Sequence, residues 1–77
     1  KNRFYPPATM RDMGRLAERL AEKSQDGMFS AADFRDATDI GRNVTIQVLE
    51  YFDRSGFTQR VGEGRKIRKP VDEVFGD

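Results

Sequence analysis

The chain has 77 residues, with 14 Lys+Arg against 13 Asp+Glu, so its formal net charge is only +1. That length allows one small domain, burying about 60% of its unfolded surface around the bulk of six Phe and two Tyr. The absence of Cys and His removes disulfides, thiolate metal sites, a Cys nucleophile and the commonest general base.

No apolar run reaches the roughly 18 residues of a membrane span, and no signal peptide is visible. The chain begins with Lys1 rather than Met, which leads us to expect a piece of a larger protein.

Residues 1–7 read as a linker or lead-in, because Pro6 and Pro7 stop a helix from starting earlier. Thr9 is placed to cap a first helix, with Asp12 near its positive end. Met10, Met13, Leu16, Ala17, Leu20 and Ala21 fall on one face of that helix, which ends before Gly27. Phe4 and Tyr5 are expected in the local core.

Met28-Phe29 forms a short apolar pair with the look of a brief strand. Ser30 caps a second helix whose Phe34 and Ala37 face inward, and Thr38–Gly41 reads as a turn. A third helix runs from Arg42 to Ser55, with Val44, Thr45, Val48, Leu49 and Phe52 on its inner face. Asn43, Gln47, Glu50 and Arg54 lie opposite, and Gly56 ends the helix.

The period then changes to alternation. Residues 57–61 and 65–69 read as two strands joined by the three-residue connection Gly62-Glu63-Gly64. Val61 and Ile67 are expected to face the core, with Arg60, Lys66 and Arg68 on the other side. Pro70 ends the hairpin, and residues 70–77 form a tail whose Val74 and Phe75 either pack back or stay disordered.

Helix, short strand, helix, turn, helix and hairpin is the order of a winged helix-turn-helix. The expected fold is therefore α+β and mainly α, with three helices plus a β-hairpin wing. Its core spans residues 8–69 of a single domain.

The charge layout points to a polyanion. Residues 1–53 hold 8 basic against 9 acidic side chains, residues 54–69 hold six basic against Glu63 alone, and residues 70–77 add three acids. The start of the third helix offers backbone N–H groups and the positive end of its macrodipole. Gly41 permits close approach there, and Arg42 can grip a phosphate or the edge of a guanine. Asn43 and Gln47 carry amides that can read a base edge, while Arg54, Arg60, Arg65, Lys66 and Arg68 can meet backbone phosphates.

Other chemistry is thin. Asp36 and Asp39 sit where helix ends and turns favour Asp, so no catalytic residue is assigned. No metal ligand set is assigned. Asn43-Val44-Thr45 matches a glycosylation sequon but lies inside the third helix. No Gly-rich phosphate loop precedes a Lys-Ser/Thr pair, so GTP binding is not expected of this segment. Phe29, Phe34, Leu49, Phe52 and Phe57 read as core, and Tyr51 as partly exposed.

The stretches Phe34-Arg35-Asp36, Ile40-Gly41-Arg42-Asn43, Ile46 to Arg60 and Val61 to Arg68 closely resemble the C-terminal winged-helix domain of bacterial selenocysteine-specific elongation factors, the SelB family. Leu49-Glu50-Tyr51-Phe52-Asp53-Arg54 is the most specific part. The resemblance implies a module that grips the selenocysteine insertion hairpin of an mRNA. It would tether a factor that delivers selenocysteyl-tRNA for decoding of UGA.

It also implies preceding winged-helix domains, a GTPase domain with GTP and magnesium outside this segment, contact with the ribosome, a monomeric state and a cytoplasmic location. Gly41 and Arg42 inherit the family's RNA-contact role, and the basic residues of the wing are the secondary assignment. Two readings compete: a DNA-binding winged helix from a transcription regulator, and a protein–protein module on the same fold.

Overall fold

A computed structural model describes residues 7–76. Its order is α1 (Pro7–Lys23), β1 (Met28–Ser30), α2 (Ala31–Thr38), α3 (Arg42–Ser55), β2 (Thr58–Val61), β3 (Gly64–Ile67) and α4 (Val71–Phe75). The winged helix-turn-helix order expected from the sequence is present, with a short fourth helix added. Phe4 and Tyr5 lie outside the described residues.

The first helix starts at Pro7, two residues before the expected cap Thr9. Proline suits the first helical position because its fixed φ is already helical and its missing N–H would have had no partner. Met10, Ala17 and Ala21 bury the apolar stripe of α1.

Ser30 caps α2 with a reciprocal pair of bonds. Its hydroxyl accepts from Asp33 N–H at 3.0 Å, and the Asp33 carboxylate accepts from Ser30 N–H at 3.1 Å. Phe34 is fully buried, but Ala37 is exposed, contrary to expectation. Asp39 ends α2 in the left-handed region and donates its N–H to Arg35 O at 2.8 Å. Its role is that of a helix stop.

The strands form one antiparallel sheet in the order β1-β3-β2. Val61 pairs with Gly64, so the turn contains only Gly62 and Glu63. Gly62 takes φ 61, as the first position of a two-residue hairpin turn requires. Because side chains alternate with period two, a turn one residue shorter than expected reverses the facing of β2. Val61 accordingly points outward and is 41% exposed, while Ile67 packs against the core.

Four fully buried rings join these layers. Phe34 lies 6.2 Å from Phe29 and 5.9 Å from Phe52, and Phe52 meets Phe57 edge-on at 5.0 Å. Phe75 completes the set, at 5.3 Å from Phe57, 5.6 Å from Phe52 and 6.1 Å from Tyr51. The tail therefore belongs to the fold. Val71 is buried, donates its N–H to Glu18 Oε2 at 2.8 Å, and lies so close to Gly14 that a Cβ there would collide with it.

Candidate nucleic-acid interface

The inner face of α3 is buried at Thr45, Val48, Leu49 and Phe52. This leaves Arg42, Asn43, Gln47, Glu50 and Arg54 exposed. Gly41 precedes the helix with φ 89 and ψ 163, and no side chain caps it. The first intrahelical bond runs from Thr45 N–H to Gly41 O at 3.1 Å, and the Thr45 hydroxyl donates to the same oxygen at 2.6 Å. The first-turn N–H groups of α3 thus face outward, where an anion can accept from them.

The structure adds two residues to this end of the helix. A shallow cavity of about 230 Å³ lies between α2 and α3, lined by Ala31, Ala32, Arg35, Arg42, Thr45 and Ile46. Ile46 is 43% exposed and gives this cavity an apolar wall. Arg35 and Ile46 were not among the sequence-based site residues. The available signal was spacing: Arg35 falls in the last turn of α2 and Arg42 at the start of α3, so a short turn brings two cations to one groove.

The wing is less uniform than its sequence. Phe29, Arg65 and Arg60 occupy one cross-strand row, and Met28, Lys66 and Gln59 the next. Phe29 is 2% exposed, so its row faces the core. Arg60 therefore stands on the opposite sheet face from Lys66, not beside it as expected. It remains exposed at the sheet edge.

Arg65 requires the main correction. It was expected to meet phosphate, but its side chain is 9% exposed and is already paired. Its Nε donates to both oxygens of Asp53 at 3.2 and 3.1 Å, and its Nη2 donates to Oδ2 at 3.0 Å. The Thr58 hydroxyl donates to Asp53 Oδ1 at 2.6 Å. Arg65 thus locks the sheet to the last turn of α3. Lys66 and Arg68 remain exposed on the wing, and Arg54 at the end of α3.

The assigned residues fall into two groups. Gly41, Arg42, Asn43 and Gln47 gather at the N-terminal part of α3. Arg54, twelve positions beyond Arg42 and so about 18 Å along the axis, lies at the hairpin end. No group of three potential ligands able to hold a metal occurs among the described residues. No described helix is long and apolar enough to cross a membrane.

A family model described as the winged helix of elongation factor SelB matches residues 21–67. The selenocysteine-specific elongation factor of Escherichia coli is 40% identical over 68 residues, covering 88% of this chain and 11% of that protein. Those of Haemophilus influenzae and Desulfomicrobium baculatum are each 38% identical, covering 88% and 86% of this chain and 11% and 10% of theirs. The chain thus spans about a tenth of the length of these relatives.

The solved mRNA-binding domain of SelB from E. coli, in complex with SECIS RNA, superposes with a TM-score of 0.82 at 39% identity. That match covers 90% of this chain and 55% of that one. With fold, exposed helix start and basic wing all in accord, the chain belongs to the winged-helix family of the selenocysteine-specific elongation factor SelB.

Proposed function

We propose that this domain binds a selenocysteine insertion hairpin in mRNA through the start of α3 and the exposed cations of the wing. The carrying observation is the match over 90% of the chain to a SelB domain solved with SECIS RNA. The local chemistry supports it. The deep, narrow major groove of A-form RNA excludes a helix, so recognition shifts to loops, bulges and backbone. The open N–H groups after Gly41 and the guanidinium of Arg42 suit a loop phosphate. Asn43 and Gln47 suit base edges, while Arg54, Arg60, Lys66 and Arg68 suit phosphates.

In the whole factor, this module holds the mRNA while other parts carry selenocysteyl-tRNA to the ribosome. Preceding winged-helix domains space them, and GTP and magnesium sit in a GTPase domain elsewhere in the whole factor. The module itself catalyses nothing and acts as a monomer in the cytoplasm.

The test is a titration with SECIS RNA, an unrelated hairpin and duplex DNA at two salt concentrations. SECIS RNA is expected to bind best, with affinity falling as salt rises. Arg42→Ala is expected to weaken SECIS binding much more than binding to the unrelated hairpin. Equal loss on both would reduce Arg42 to a backbone contact, and a preference for duplex DNA would overturn the RNA reading.

A further inference from the structure

Building on the RNA-binding reading, we infer that Glu50 is a specificity-determining residue that rejects nucleic-acid backbone running along α3. The exposed face of this helix reads Arg42, Asn43, Gln47, Glu50 and Arg54 in axial order. Cations stand at its two ends, amides follow the first, and one carboxylate interrupts the path. Glu50 lies about 12 Å along the axis from Arg42 and about 6 Å before Arg54.

Glu50 is exposed and makes no ion pair among the described residues. Asp53, one turn on, spends its charge on Arg65, so it does not share this role. Among the described residues the carboxylate of Glu50 has no ion-pair partner, so its charge stays exposed on the face proposed to meet RNA.

A regular duplex laid along α3 would bring successive phosphates past this carboxylate within about a Debye length. Attraction at Arg42 would then be opposed further down the helix. A backbone that meets the helix start and turns away toward the wing avoids the repulsion. That path suits a hairpin loop and not a continuous stem. Glu50 thus turns a weakly basic face into one that favours a bent backbone, by penalising the wrong partner.

The test compares wild type with Glu50→Gln and Glu50→Lys against SECIS RNA, a blunt duplex of the same stem and an unrelated hairpin. Glu50→Gln is expected to tighten binding to the duplex and the unrelated hairpin about three- to tenfold, and to change SECIS binding less than about twofold. Glu50→Lys is expected to steepen the salt dependence for the duplex by about one further phosphate contact.

Glu22→Gln, an exposed carboxylate on α1, controls for net charge. An equal gain from Glu22→Gln would overturn the inference, leaving only bulk charge. Equal tightening on all three RNAs would do so too, as would loss of SECIS binding, which would make Glu50 a direct contact. If wild type does not prefer SECIS RNA, the underlying reading fails first and the inference falls with it.

Discussion

Replacing Asp53 with Asn keeps the shape of the side chain and removes its charge. The guanidinium of Arg65, 9% exposed, would then be left buried without its counter-ion, and the Thr58 hydroxyl would face a weaker acceptor. Breaking a buried ion pair by removing one partner costs about 3–5 kcal/mol. The Asp53 side chain is 28% exposed and the amide oxygen can still accept, so we expect about 2–3 kcal/mol here.

A domain of this length has about 4–12 kcal/mol in total. At about 4–8 °C per kcal/mol, the midpoint should fall by roughly 10–20 °C. Thermal and urea unfolding followed by circular dichroism measure this directly. Exchanging all three partners for apolar residues, Asp53→Leu with Arg65→Met and Thr58→Val, should recover much of the loss, because no uncompensated charge or orphaned hydroxyl then remains. A cost below about 1 kcal/mol for Asp53→Asn, the range of an exposed ion pair, would refute the claim that this contact locks wing to helix.

Phe75→Ala should destabilise by about 2–3 kcal/mol, because its ring sits against Tyr51, Phe52 and Phe57; a change under about 0.5 kcal/mol in urea unfolding would show α4 to be dispensable. Ser30→Ala removes the hydroxyl that accepts from Asp33 N–H, keeps the bond from Ser30 N–H to the Asp33 carboxylate, and should cost about 1 kcal/mol, read in the same assay.

Hydrogen bonds from the Ser24 hydroxyl and Met28 N–H hold the Asp26 carboxyl below its usual value of 3.8. A depressed folded value means a contribution present above the unfolded value and lost as pH falls below it. Midpoints measured on the acid side should therefore fall less steeply for Asp26→Asn than for wild type, and parallel curves would contradict this. On the wing, Lys66→Ala should lower the salt slope of SECIS binding by roughly 0.7–0.9 and shift stability by no more than about 0.5 kcal/mol. Arg65→Ala should instead show its main effect in the unfolding curve.

Much of the architecture was legible in local patterns. The apolar stripes of α1 and α3 set their buried faces, and α3 begins and ends at Arg42 and Ser55 as its periodicity predicts. Ser30 with Asp33 announced α2 through a cap that needs only four residues of chain. The open start of α3 followed from Gly41 and Arg42 in the same way, since helix-end chemistry is local.

The tertiary structure decided what depends on pairing between distant segments. Net charge made all the wing cations look alike, but register divided them. Alternation from Ile67 turned Arg65 inward against Asp53, and a two-residue turn put Arg60 across from it while Lys66 faced out. The tail was undetermined until Val71 met Gly14 and Phe75 joined the ring cluster, a contact between the two ends of the chain. A net charge of +1 counts Arg65 as a binding cation, yet its charge is consumed within the fold. Burial and strand register, which are long-range properties, decide which charges remain exposed at the surface.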